Sequence, residues 1–159
     1  MGARACEVES VDGGPELGPA GDGPQKEKLQ QLAAELKVEK NIKIMGRKNK
    51  QEVKKMFQQA KLFVLPSYNE GMSNALLQAL ASGLPVIFTN TGGSTELVDK
   101  SNGITINKGS IEELVTAMEQ ILGSEDRQKS MGIASRQRSE KMSWKKVAQS
   151  YQKIYQSYA

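Results

Sequence analysis

Residues 62–65, Leu-Phe-Val-Leu, form an unbroken apolar run that Pro66 ends. A strand without polar alternation is covered on both faces, and such strands belong to parallel sheets whose crossover helices lie over both sides. Val86 to Phe88 repeats the pattern, and Gly103 to Ile106 gives a further short strand. Between these runs the apolar spacing changes to that of helices. Leu29, Leu32, Ala33 and Leu36 recur at i, i+3, i+4 and i+7, as do Val53, Met56, Phe57 and Ala60 one helix later. The spacing predicts another helix over 71–81, closed by Ser82-Gly83 with Pro85 beyond, and a helical turn around 95–98. Ser110 and Glu113 form a capping-box pair that opens a helix to about Leu122, and further helices follow near 125–140 and 143–158. Asn41 to Met45 alternates as a short strand into Gly46. The reading is an α/β chain: a Rossmann-like parallel sheet with helices on both faces, joined by right-handed crossovers. Ligands of such sheets sit at the carboxyl ends of the strands, so the loops after Met45, Leu65 and Phe88 come first.

Composition narrows the chemistry. The 159 residues suit one core, which at that size buries roughly 70% of the unfolded surface. The chain has no histidine, which removes catalytic triads, Cys-His dyads and His-based zinc sites. A lone cysteine, Cys6, excludes an internal disulfide and a cysteine metal cluster, and fits a reducing cytoplasm. The net charge of +4 reflects basic residues clustered over 26–61 and 127–146 at helical spacing. Solvated helix faces explain them better than a polyanion partner. No apolar run approaches the length of a membrane span, and the start lacks signal-peptide character, so any membrane contact is expected to be peripheral.

The loop after the apolar run reads Pro66-Ser-Tyr-Asn-Glu-Gly-Met-Ser-Asn74 and delivers the chain into a helix. The first N–H groups of a helix have no partner inside it and favour an anion, so a phosphate or diphosphate fits here. Gly71 permits close backbone approach, and Ser73 and Asn74 add short polar groups. Glu70 has two local readings: a carboxylate that offsets the helix dipole, or one turned toward sugar hydroxyls, which carboxylates accept well. Gly92 and Gly93 after the next strand serve as a turn or as an opening near a diphosphate, with the turn slightly favoured. Tyr68, Met72 and Trp144 stand as ligand contacts or packing, packing being the better reading for Met72 and Trp144. No Gly-x-Gly-x-x-Gly opens a helix, so a dehydrogenase ranks last.

Residues 70–83 (EGMSNALLQALASG), followed by LPVI, then TGGSTELV and NG, resemble the signature of glycosyltransferase family 4. The likeness reaches upstream to Gly21-Asp-Gly-Pro24 and the strand ending Met45-Gly46-Arg47. The resemblance implies the C-terminal half of a GT-B fold, with a nucleoside-diphosphate sugar as substrate, retention at the transferred sugar, and no cofactor or metal. By the same resemblance Glu70 is the catalytic-site carboxylate that holds sugar hydroxyls. Backbone N–H groups of Gly71, Met72, Ser73 and Asn74 would meet sugar and diphosphate, while Gly46, Arg47 and Lys48 would border the base. Gln78 takes the place of a second glutamate that accepts from the ribose. Its amide lacks the charge-assisted strength of a carboxylate, so donor affinity is expected to be weaker, unless Gln78 is simply a polar residue on a helix flank.

The resemblance also marks what this sequence does not carry: an acceptor-binding domain and the Arg and Lys that clamp donor phosphates ahead of Gly-Asp-Gly-Pro. Residues 1–20 are Gly- and Pro-rich and read as an atypical, disordered leader, since a central strand does not tolerate the proline in Glu16-Leu-Gly-Pro-Ala20. Residues 21–142 read as an incomplete nucleotide-sugar-binding domain and 143–159 as a terminal helix returning toward the missing domain. The expected partners are a nucleotide-sugar donor and a saccharide, lipid or other acceptor, with no nucleic acid, at a cytoplasmic location that leaves the cytosolic membrane face open. Two other readings remain: a non-catalytic nucleotide-sugar-binding or regulatory fragment, and a basic polyanion-binding domain.

Overall fold

The computed structural model describes residues 6–11, 14–19, 24–69, 71, 73–91, 96–142 and 144–158, with backbone alone for 6–11, 14–19 and 144. Among the described residues five strands form one sheet: β1 (Cys6–Val11), β2 (Gly14–Pro19), β3 (Leu62–Leu65), β4 (Val86–Thr89) and β5 (Gly103–Ile106). Their order is β2-β1-β3-β4-β5. β3, β4 and β5 are parallel, with Leu65 opposite Phe88 and Thr89 opposite Ile106. Among the described residues six helices accompany them: α1 (Lys26–Glu35), α2 (Lys50–Gln59), α3 (Asn74–Ala81), α4 (Ile111–Leu122), α5 (Glu125–Lys141) and α6 (Trp144–Ser157).

The apolar run builds both halves of the core. Successive side chains of a strand point to opposite faces. Phe63 and Leu65 therefore join Phe57 of α2, Leu76, Ala79 and Leu80 of α3, and Phe88, Leu97 and Val98 on one face. Leu62 and Val64 join Ile87, Ile106, Ala117 and Ile121 of α4, and Met131 of α5 on the other. All four residues of β3 and all four of β4 are buried, as a strand sandwiched between helices requires. Phe57 meets Phe63 edge to face, with centroids 5.5 Å apart.

Three expectations change. Where a disordered leader was read, residues 6–11 and 14–19 are antiparallel strands, with Val11 opposite Gly14, and Cys6 to Val8 pair antiparallel with β3. The prolines are compatible because β2 is an edge strand, where a missing N–H costs no ladder bond. Residues 41–45 are not a strand: a 3-10 turn spans Glu39–Asn41, and the place beside β3 belongs to β1. In α1 only Ala33 is buried, while Leu32 and Leu36 are 48% and 62% exposed, so its apolar stripe is not covered.

Helix ends follow local chemistry. The capping pair at Ser110 is half formed: Ser110 Oγ accepts from the Glu113 N–H, but the Glu113 carboxylate accepts from the Asn107 backbone and side chain at 2.7 and 2.8 Å. A complete capping box opens α2 instead, with Asn49 and Glu52 each accepting the other's N–H. The helix expected from 71 begins at Asn74, because Ser73 is the favoured cap and accepts from the Leu76 N–H.

Candidate functional site

β3 and β4 end side by side, and Thr89 Oγ1 donates to the Leu65 carbonyl at 3.1 Å, tying the two strand ends together. The chain leaves this edge through Pro66 to Asn69 and re-enters at Ser73, the cap of α3. α3 is packed on the sheet through Leu76, Ala79 and Leu80, so its start is held at the carboxyl edge of the parallel strands. Ser73 is buried and spends its oxygen on the cap, whereas Asn74 is exposed in the first turn. Gln78, one turn further on, is also exposed. Residues four apart share a helix face, so Asn74 and Gln78 line one side of α3. Gly71 is exposed, and a Cβ placed there meets nothing within 4 Å.

α2 runs back into β3 through Ala60-Lys61, so its start stands toward the same edge. Gly46, Arg47 and Lys48 precede it. Gly46 has a φ of 65°, a left-handed conformation that glycine adopts without strain, and Arg47 is exposed. Lys48 is half-buried and pairs with Glu52 at 3.2 Å. Glu52 is held below the usual carboxylate range first by the Asn49 backbone N–H and then by Lys48. The structure thus places Gly46 to Lys48, Gly71, Ser73, Asn74 and Gln78 on elements that converge on one edge. Glu70, Met72, Gly92 and Gly93 lie outside the described residues, as does the side chain of Trp144.

The chemistry available here is recognition of an anion by a helix start, flanked by short polar side chains and two cations. Among the described residues no cluster of three His, Cys, Asp or Glu could hold a metal ion. A shallow cleft of about 560 Å³, lined by residues that include Lys61, Pro85, Lys129 and Ile133, opens at the opposite edge, where β3 and β4 begin.

The profile of the glycosyl transferases group 1 matches residues 17–138. The chain belongs to the group 1 glycosyltransferases. It is 30% identical over 139 residues to D-inositol 3-phosphate glycosyltransferase of Corynebacterium aurimucosum, covering 87% of this chain and 33% of that protein. It is 29% identical over 129 residues to sulfoquinovosyl transferase SQD2 of Arabidopsis thaliana, covering 79% and 24%. Similar folds occur in TarM (TM-score 0.79, 21% identity, 91% of this chain and 29% of that one) and in Anabaena HepE in complex with UDP (0.78, 19%, 87% and 40%). The chain thus spans about a third of the curated relatives it matches. The profile begins within β2 and ends within α5, so the site described above lies inside the glycosyltransferase region.

Two features were missed in the sequence. The Asn49 and Glu52 capping box was legible as an Asn-x-x-Glu spacing. The second is Thr91, which the sequence reading included only as the first residue of TGGSTELV and gave no role of its own, and whose buried Oγ1 has no hydrogen-bond partner. Among the described residues no helix is long and apolar enough to cross a membrane.

Proposed function

We propose that this glycosyltransferase domain binds the nucleoside-diphosphate sugar donor of a retaining, family 4-like enzyme that moves a hexose-type sugar to a saccharide, lipid or other acceptor hydroxyl. The observation that carries the reading is the start of α3, packed against the carboxyl edge of β3 and β4 with Asn74 and Gln78 exposed beside it. An anionic diphosphate fits that helix start. UDP is a fitting nucleotide, since structures of Anabaena HepE and of the pneumococcal O-GlcNAc transferase GtfA contain it.

In this reading Glu70 accepts hydrogen bonds from the donor sugar's hydroxyls, backbone N–H groups from Gly71 to Asn74 face sugar and diphosphate, and Gln78 meets the ribose. Gly46 to Lys48 border the base. The bond that breaks joins the sugar's anomeric carbon to the diphosphate oxygen, the acceptor hydroxyl oxygen forms the new bond on the same face, and its proton passes to the departing diphosphate. Negative charge grows on the diphosphate, and the N–H groups of a helix start offset part of it. No resident cofactor or metal enters the scheme, and a reducing cytoplasmic setting suits the single thiol.

Calorimetry with the full chain tests this. UDP-glucose, GDP-mannose and ADP-glucose are titrated in turn, together with the bare nucleotides. Glu70→Ala is expected to weaken the sugar nucleotide about tenfold, the loss of one charge-assisted hydrogen bond of about 1.5 kcal/mol, and to leave the bare nucleotide nearly unchanged. Equal loss for both ligands removes the sugar-contact role of Glu70. Absence of binding to every donor removes the donor-site reading itself.

A further inference from the structure

Among the described residues, buried polar side chains are satisfied almost without exception. Ser73 accepts from the Leu76 N–H, Thr89 donates to Leu65, Asn102 bonds both Leu97 and the Asp99 N–H, and Ser135 donates to Leu84 at 2.6 Å. Among the described residues Thr91 Oγ1 stands apart as a buried side-chain oxygen without a hydrogen-bond partner. Such a group is costly, and each one in a folded protein calls for an explanation.

Its position supplies one. Thr91 lies two residues beyond the end of β4, after Asn90, whose N–H donates to the Ile106 carbonyl at 3.0 Å and so fixes the backbone at the carboxyl edge. The chain then returns at Leu97 and Val98 into the apolar cluster that holds Leu76, in the first turn of α3. Thr91 therefore shares the edge of the sheet on which α3 starts. The residue as a whole is only half-buried although its hydroxyl is enclosed. Rotation about χ1 to another staggered well moves the oxygen out of its enclosed position. That rotation sacrifices no hydrogen bond.

We propose that Thr91 is a donor-positioning residue whose hydroxyl donates a hydrogen bond to a diphosphate oxygen of the nucleotide bound at the start of α3. The proposal rests on the donor-binding reading above. A hydroxyl is a donor that phosphate oxygens accept strongly, and bonds to charged acceptors are shorter and stronger than neutral ones. A diphosphate, rather than the nucleoside, is the matching group because the helix start on the same edge favours negative charge.

The test uses the full chain with UDP and UMP in calorimetry, and thermal melting without nucleotide. Thr91→Val keeps the shape and removes the hydroxyl. It is expected to weaken UDP about tenfold, to change UMP less than about threefold, and to leave the melting temperature equal or higher, because a buried orphan is removed. Thr91→Ser, which keeps the hydroxyl, is expected to bind UDP within about threefold of the unaltered chain, and Thr91→Ala, which also lacks the hydroxyl and is expected to show the same losses, carries the test should the valine variant fold poorly. UDP affinity unchanged in Thr91→Val, or lost equally for UDP and UMP, overturns the role of Thr91 and leaves the donor site standing. An unaltered chain that binds neither nucleotide, nor any of the donor sugars, overturns both.

Discussion

The two edges of the parallel strands differ in how completely their polar groups are used. At the edge where β4 and β5 begin, α5 crosses the chain and ties it down: Ser135 reaches the carbonyl of Leu84, and Arg136 donates to the Ala81 carbonyl at the end of α3 at 2.5 Å. Gly132 lies directly against the carbonyl of Gly83, whose φ of 77° closes α3. At the opposite edge, where β3 and β4 end, the side chains are short, several are exposed, and the hydroxyl of Thr91 is unspent. One edge invests its hydrogen bonds in the fold, and the other leaves several polar side chains exposed and the Thr91 hydroxyl without a partner. The difference teaches where stability and recognition should separate under mutation.

The strongest way to break this contrast is at Gly132. A Cβ there collides with the Gly83 backbone, so Gly132→Val is expected to cost about 3 kcal/mol and to lower the melting temperature by roughly 6–12 °C. Donor affinity measured well below that temperature should stay within about threefold of the unaltered chain. A full-strength loss of binding with little loss of stability would reverse the roles of the two edges.

A smaller effect is expected at the cap of α3. Ser73→Ala removes the acceptor of the Leu76 N–H and should cost about 1 kcal/mol, read by urea denaturation at constant slope. Because the same cap sets the start of the helix at the proposed diphosphate site, UDP affinity should fall as well. Stability loss alone would show that Ser73 serves only the helix.

The smallest effect concerns acid. Glu113 is held below its usual carboxylate value by the Asn107 backbone N–H and then by the Asn107 side chain. A carboxylate whose pKa is lowered by folding adds stability above its unfolded value, near 4.5, and loses it as pH falls through the folded value. Glu113→Gln should therefore flatten the decline in melting temperature between neutral pH and pH 3. An unchanged slope would place the acid sensitivity elsewhere.

Much of the parallel core was legible because burial on both faces leaves an apolar run that nothing else explains: β3 and β4 fall where Leu62 to Leu65 and Val86 to Phe88 predicted them. The helices that close that core, α2 to α5, were also expected, α2 from its periodicity, α3 from the Ser82-Gly83 stop and Pro85, and α4 from the Ser110 and Glu113 pair, with α3 shifted to the residue after Ser73. β1 and β2 were not foreseen, although Asp12-Gly13 between them is a hairpin signal. Pro15, Pro19 and the glycines masked it, since those residues weaken any strand not known in advance to lie at an edge. The expected strand over 41–45 failed for the complementary reason: alternation predicts a face to bury but not a free neighbour to pair with. At the site, the helix start and its polar flank could be read from Gly71, Ser73 and Asn74. Thr91 could not, because an unpaired hydroxyl is a property of three-dimensional surroundings rather than of spacing.

The edge position of β2 has a consequence for how the molecule meets its own copies. An exposed strand edge is a template on which another chain can lay a strand, and long unprotected edges invite aggregation. Pro15 opposite Ser10 and Pro19 opposite Cys6 interrupt the row of donors that such addition needs. The prolines that made this stretch look unfit for a sheet are also residues that oppose strand addition at an edge.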